Sequence, residues 1–297
     1  MKVFVSGAAG FLGSHLADVF VQGGAHVVGC DNMIGGELSN LPEGIEFETA
    51  DCCDVDAMKR LTKGCDLVYH CAAIATEGLS VFSPALMTKH VYENTAGLLA
   101  ATASNNVARF VNCSSMARYG DAPAPFTEET RPQPVDPYGI AKYAAELLVR
   151  NICETHGLEY VIAVPHNIIG PKQKYDDPYR NVASIMINRM LQGKQPIIYG
   201  DGGQMRCFSF IQDCVTPLIK MGSLSTVAGE VITIGPDEEY VSILELSKII
   251  AELLEFDLHP TMVAGRPREV RYATCSAAKA RRLLGYETSV SLRQGLQ

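Results

Sequence analysis

Ser115, Tyr138 and Lys142 are of the residue types that move a proton on and off an alcohol. Asp136 and Pro137 supply helix-start chemistry: a capping carboxylate, then the residue favoured at the first helical position. The run that follows (Ala141, Ala144, Ala145, Glu146, Leu147, Leu148) consists of good helix formers. Tyr138 and Lys142 are then i and i+4, one turn apart on one face. An ammonium held there lowers the phenol from its ordinary pKa of about 10 toward neutrality, which suits a general acid/base. The Tyr-x-x-x-Lys spacing also recurs by chance, so its meaning depends on what surrounds it.

A glycine loop lies upstream. Ser6-Gly7-Ala8-Ala9-Gly10-Phe11-Leu12-Gly13 follows a first apolar run and opens a helical pattern. Gly7 suits a tight turn, Gly10 lets the backbone approach a pyrophosphate, and Gly13 lets helix and strand pack closely. The free N–H groups of the helix start would then face the phosphates. A purely structural glycine turn is the competing reading. Asp31 ends the second strand, where a carboxylate would accept hydrogen bonds from the adenosine ribose hydroxyls. No arginine follows it to receive a 2′-phosphate, which favours NAD over NADP. Asp51 would reach the adenine edge, or equally be a solvated loop carboxylate beside Asp54. In His70-Cys71-Ala72-Ala73 the small residues would let the backbone pass near the cofactor, and His70 reads as structural.

These segments need a frame. Expected strands are Val3–Ser6, His26–Cys30, Glu46–Thr49, Leu67–His70, Phe110–Cys113 and Tyr160–Val164. Helical patterns fall between them at Phe11–Val21, Val55–Leu61, Val91–Ser104 and Pro137–Thr155. The alternation predicts an α/β fold, a doubly wound parallel sheet of Rossmann type with a smaller C-terminal substrate-binding lobe. After Pro165 the rhythm breaks, and the polar stretch 171–180 looks like a binding loop. Helices are expected at Val182–Leu191, Asp213–Met221 and Ile243–Leu254, with a last one begun by Ser276. Strands are expected at Ile197–Tyr199 and Val231–Ile234, the second returning to the main sheet. The expected division is residues 1–165 for NAD, rejoined by about 207–235, with 166–206 and 236–297 forming the other lobe.

The 297 residues suffice for a sizeable core, and the net charge of −8 argues against nucleic acid or an anionic membrane as partner. No apolar stretch is long enough to span a bilayer, and the N-terminus runs straight into a strand, so a cytoplasmic protein is expected. Ten scattered cysteines without a Cys-x-x-Cys pair read as free thiols in a reducing compartment. The seven histidines show no metal-ligand spacing, so no metal site is expected.

Taken together the motifs resemble the extended short-chain dehydrogenase/reductases over essentially the whole chain. The matching segments are Gly7-x-x-Gly10-x-x-Gly13, Asp31-Asn32, His70-x-Ala72-Ala73, Ser114-Ser115-x-x-x-Tyr119-Gly120 and Pro137-Tyr138-Gly139-x-x-Lys142. His166-Asn167-Ile168-Ile169-Gly170-Pro171, Tyr199-Gly200-Asp201-Gly202-x-x-x-Arg206 and Arg266-Pro267-x-Glu269-Val270 continue the match. The subgroup most resembled is that of NAD-dependent nucleotide-sugar epimerases and dehydratases. The resemblance implies that Tyr138 takes the proton of the sugar 4-hydroxyl while hydride leaves C4 for the nicotinamide. Lys142 would also bind the nicotinamide ribose, and Ser115 the reacting oxygen. It extends the NAD set to Phe11, Leu12, Asn32, Cys52, Cys71, Asn94 and Pro165. The substrate set would comprise Thr76, Ser115, Asn167, Lys174, Arg206, Arg266 and Ala273, with a UDP-sugar the expected substrate. Helices 91–104 and 137–155 resemble a pair that forms dimer interfaces in relatives, so a homodimer is expected, although helices packed in the interior core would read the same.

Family dehydratases carry an Asp-Glu pair directly after the serine position, and glucuronate decarboxylases keep the glutamate. Here Met116 and Ala117 cannot exchange protons, which favours epimerisation. A dehydratase, decarboxylase or 4-keto reductase, or a non-catalytic NAD-binding regulator, are the alternatives. Val164 and Arg118 depart from an arginine and a valine common in relatives, and Ser276 replaces a capping aspartate. Two clues to the sugar conflict. Ala273 stands where a bulky tyrosine closes some pockets to a 2-N-acetyl group. Gly170-Pro171-Lys172-Gln173-Lys174 resembles the Gly-Pro-Arg-Gln-Arg of uronate epimerases, with Lys174 facing the carboxylate.

Overall fold

In a computed structural model of the protein, residues 1–266 and 269–297 are described. Six strands, β1 (Lys2–Ser6), β2 (His26–Asp31), β3 (Glu46–Thr49), β4 (Leu67–His70), β5 (Arg109–Cys113) and β6 (Glu159–Pro165), join Val231–Ile234 in one parallel sheet. The order is β3-β2-β1-β4-β5-β6 followed by Val231–Ile234, so the winding reverses between β1 and β4. In such sheets the crevice at the carboxyl ends of the strands on either side of that reversal takes the ligand.

Both faces of the sheet are covered, which explains its nearly continuous apolar runs. Successive side chains point to opposite sides. Val3, Val5, Val27, Val111 and Val161 pack with Leu16 and Phe20 of helix Phe11–Gln22 and with Val215 and Leu218 of helix Ile211–Ser223. Phe4, Val28, Val68, Phe110 and Ile162 pack with Met58, Leu98 and Val149 from helices Val55–Leu61, Asn94–Ser104 and Pro137–His156. A separate core of Met186, Ile198, Leu246, Ile250 and Leu292 holds the C-terminal lobe. It is built on helices Val182–Leu191 and Ile243–Leu253 and the parallel pair Ile197–Tyr199 and Thr261–Val263. Phe210 touches both this core and the Val3 side of the sheet.

The structure differs from the expected elements at several places. The helix expected from Val91 becomes α-helical only at Asn94, after a π-helical stretch over Thr88–Glu93. Two short helices, Glu77–Ser80 and Pro84–Met87, fill what read as loop. Ser276 is not the N-cap: that position falls to Ala277, whose N–H goes to Asp237 at 2.8 Å, while the Ser276 hydroxyl accepts from Ala278 at 3.3 Å. The Ala278–Leu284 helix is not the last either, since a reciprocal Ser291–Gln294 capping box starts Leu292–Leu296. Among the described residues no helix is long and apolar enough to cross a membrane.

Candidate active site

The long helix Pro137–His156 begins as its sequence demands: the Asp136 carboxylate accepts the Gly139 N–H at 2.9 Å and Pro137 takes the first turn. Tyr138 and Lys142 are 6% and 7% exposed, on the face turned toward the sheet. The Lys142 ammonium donates to the Cys113 carbonyl at the end of β5 (2.8 Å) and lies 5.9 Å from the Tyr138 ring centroid. Burial lowers the lysine's pKa, against the opposing pull of Cys113, Cys71 and Glu146. The expected lowering of the phenol is outweighed. Burial pushes Tyr138 above its ordinary value, Glu77 adds to this, and the Ser115 hydroxyl pulls the other way.

Ser115 leaves β5 in extended conformation, and its hydroxyl accepts the Ala117 N–H at 3.2 Å, starting a tight turn over Met116–Arg118. The turn lies flat against the helix start. A Cβ on Gly139 would stand 2.5 Å from the Ala117 carbonyl oxygen, so this contact requires glycine. Ser115 is thereby fixed beside Tyr138 by backbone packing. Arg118 does not enter the cleft: it is buried with its guanidinium 3.0 Å from Glu146, which also accepts from Ser114. Val164 is likewise fully buried in the core. Both departures from the family pattern are thus taken up inside the protein.

The glycine loop packs as a dinucleotide cradle must. A Cβ on Gly13 would fall 2.1 Å from the Gly7 carbonyl oxygen. Asp31 ends β2 nearly buried. Burial raises its pKa, while the N–H groups of Met33, Ala9 and Gly10 pull it back. Asn32 donates to Asp51 at 3.0 Å; although burial would raise Asp51, the Asn32 and Cys53 hydrogen bonds hold it below its ordinary value. The Asn94 side-chain oxygen is buried with no partner among the described residues, as suits a group awaiting a ligand. Its amide nitrogen donates to the Ala72 and His90 carbonyls at 3.3 and 3.2 Å. Phe11 and Leu12 open the first helix, Ala72 and Ala73 follow β4, and Pro165 ends β6, all half-buried at the carboxyl edge of the sheet. Cys52 and Cys71 instead turn their thiols to Cys30 and Cys113, each 3.8 Å away. His70 is structural: it joins Ser6 (2.8 Å) to Thr95 (3.0 Å), and burial lowers its pKa to about 3, keeping it neutral.

Arg206, Arg266, Ala273 and Thr76 come together on the other wall. Arg206 donates to the Val270 and Met205 carbonyls at 2.8 Å, and Ala273 lies opposite it in the Met205–Arg206 and Tyr272–Ala273 strand pair. The Arg266 guanidinium sits 3.9 Å from the Tyr199 ring centroid. The Thr76 hydroxyl is buried and unpartnered among the described residues. Asn167 donates to the Cys207 carbonyl at 2.9 Å. Pro267 of the matching motif lies outside the described residues. Lys174 is elsewhere, in ion pairs with Glu37 (3.6 Å) and Asp176 (3.3 Å) on the glycine-loop side. The structure therefore pairs it with these two carboxylates.

Three residues escaped the sequence reading. Glu77 reaches the electrostatic surroundings of Tyr138, Asp136, Arg206, Arg266 and Glu269. Nothing in its spacing announces this. Arg180 lies against Gly35, within electrostatic range of both Asp31 and Tyr138. Glu146 had a signal: it stands one turn beyond Lys142 on the same face of an alanine-rich helix.

The sequence profile of the NAD dependent epimerase/dehydratase family matches residues 3–235. The chain is 31% identical, over 100% of its length and 96% of the relative's, to an uncharacterised UDP-glucose epimerase of Bacillus subtilis. It is 30% identical, over 100% of its length and 87% of the relative's, to UDP-glucuronic acid decarboxylase 6 of Arabidopsis thaliana. The crystal structure of a UDP-glucose 4-epimerase with UDP-glucose from Thermotoga maritima superposes with a TM-score of 0.95 at 30% identity, covering 100% of this chain and 96% of that one. This protein belongs to the NAD-dependent epimerase/dehydratase family, the nucleotide-sugar enzymes of the extended short-chain dehydrogenase/reductases, and NAD is its cofactor.

Proposed function

We propose that the protein is a nucleotide-sugar 4-epimerase acting on a UDP-hexose. The observation that carries this reading is the Ser115–Tyr138–Lys142 set beside a turn whose next two residues, Met116 and Ala117, have no side-chain acid or base. Tyr138, as a tyrosinate favoured by the Lys142 ammonium, takes the proton of the 4-hydroxyl and becomes the neutral phenol, while Ser115 hydrogen-bonds the same sugar oxygen. Bound NAD supplies reversible hydride acceptance at C4. The 4-keto sugar then turns in the pocket and receives hydride on its other face, with no net oxidation. Elimination or decarboxylation asks for a further acid or base at C5, and the turn after Ser115 offers none.

Gly7, Gly10, Phe11, Leu12 and Gly13 hold the NAD pyrophosphate in this reading. Asp31 and Asn32 hold the adenosine ribose, Asp51 and the Cys52 backbone the adenine, and Cys71, Ala72, Ala73, Asn94, Lys142 and Pro165 the nicotinamide half. Asn167, Arg206 and Arg266 bind the substrate diphosphate, for which guanidinium forks are suited. Residues 1–165 with 207–235 form the cofactor half, and 166–206 with 236–297 the sugar lobe. Ile140 and Leu147 are exposed two turns apart on the Pro137–His156 helix, which supports a homodimer through that face.

The test is incubation of purified protein with a panel of UDP- and dTDP-sugars without added NAD, read by NMR and mass spectrometry. Isomers of unchanged mass are expected. Loss of water or carbon dioxide, or stoichiometric NADH, would overturn the reading.

A further inference from the structure

The Glu77 side chain is solvent-accessible within the cleft, on the short helix that packs against the start of the Pro137–His156 helix. Its neighbours along the helix place it between the two walls of the site. Next along that helix, a Cβ on Gly78 would lie 3.6 Å from an Arg266 guanidinium nitrogen. Ser80 donates to Asp136, the cap of the catalytic helix, at 3.4 Å. Glu77 lies within electrostatic range of Tyr138 at one end and of Arg206 and Arg266 at the other. Thr76, immediately before it, carries the buried unpartnered hydroxyl.

This inference rests on the nucleotide-sugar reading given above. A hexose joined to a diphosphate at Arg206 and Arg266, with its C4 hydroxyl at Tyr138, must span the ground that Glu77 borders. We propose that Glu77 is a specificity-determining residue that selects neutral over anionic sugars by charge repulsion. Burial and Asp136 raise its pKa, but the two arginines favour its ionised form and offset part of that rise. Lys174 is paired with Glu37 and Asp176, and the cation within electrostatic range of Tyr138 is Arg180, which Asp177 pairs at 3.1 Å. A hexuronate would thus set its carboxylate beside a fixed carboxylate. At separations of several ångströms and an effective dielectric between protein and water, the penalty is about tenfold in affinity. On this proposal the uronate clue gives way to a neutral sugar.

The experiment measures binding of UDP-glucose and UDP-glucuronate to the NAD-loaded protein by calorimetry, for wild type, Glu77→Gln and Glu77→Asp. Any gain from freeing Arg206 and Arg266 is common to both ligands and cancels in their affinity ratio. Wild type is expected to prefer UDP-glucose by about tenfold or more, Glu77→Gln to lose most of that preference, and Glu77→Asp to retain it. Equal affinities in wild type, a preference for the uronate, or a ratio unmoved in Glu77→Gln would overturn the proposal alone. Failure of wild type to bind either ligand would bring down the nucleotide-sugar reading, and this proposal with it.

Discussion

The Arg118 guanidinium lies 3.0 Å from the Glu146 carboxylate, both side chains are buried, and Glu146 is one turn beyond Lys142 on the same helix. Ser114 donates to the same carboxylate. The pair thus ties the turn that carries Ser115 to the helix that carries Tyr138 and Lys142.

Removing one partner leaves an uncompensated charge in the core. Glu146→Leu is expected to cost about 3–5 kcal/mol, and Arg118→Met a similar amount, while the double variant recovers most of the loss. Denaturant unfolding of the three variants checks this. Additive losses in the double variant would show that the two charges do not compensate each other.

Gly13→Ala places a methyl group against the Gly7 carbonyl oxygen, where a Cβ has only 2.1 Å. The loop must shift, so NAD affinity is expected to fall by about tenfold or more, with a loss of about 1–3 kcal/mol in stability. Titration with NAD and thermal unfolding read the two effects separately.

Burial raises the Asp31 carboxyl, and only its ionised form is acceptor-only toward the ribose hydroxyls. Proton uptake therefore begins at a higher pH than for an exposed aspartate, and NAD affinity should decline earlier on acidification. The stability sign is opposite: the folded state binds the proton more tightly than the unfolded one. Asp31 thus opposes folding above its folded pKa, and that penalty is relieved as pH falls through the raised value toward the ordinary one. Asp31→Asn should bind NAD more weakly at neutral pH and flatten the acidic limb of the affinity profile.

Ala273 is the register partner of Arg206 in two short parallel strands, and in the proposed reading its small side chain admits a 2-N-acetyl group. Ala273→Tyr is expected to reduce kcat/KM for UDP-N-acetylglucosamine by about a hundredfold, an overpacking cost of about 2.7 kcal/mol. UDP-glucose turnover should change little. Equal loss on both substrates would mean that the residue does not sense the 2-substituent.

The parts of this site that could be read from the sequence are those whose chemistry is local. Gly7 to Gly13, and the Asp136-Pro137 start with Tyr138 and Lys142 one turn apart, are set by neighbours along the chain, and strand and helix periodicity placed them. Glu77 and the Arg118–Glu146 pair depend on which distant segments the sheet brings together, and one sequence carries little sign of that. Burial decided the rest. It reversed the expected lowering of the Tyr138 phenol, because removal from water outweighs the Ser115 hydrogen bond and the Arg180 charge that pull the other way. Lys174 found its partners in Glu37 and Asp176, and its place after Gly170-Pro171 carries no sign of the distant Glu37.

The central claim is transient oxidation at C4 with return of the same hydride. It is tested most directly with UDP-glucose carrying deuterium at C4, incubated in ordinary water with the NAD-loaded protein. The account predicts UDP-galactose with the deuterium retained at C4, and no such product from Tyr138→Phe. Deuterium lost to solvent, accumulation of reduced cofactor, or a product lighter by water would contradict it.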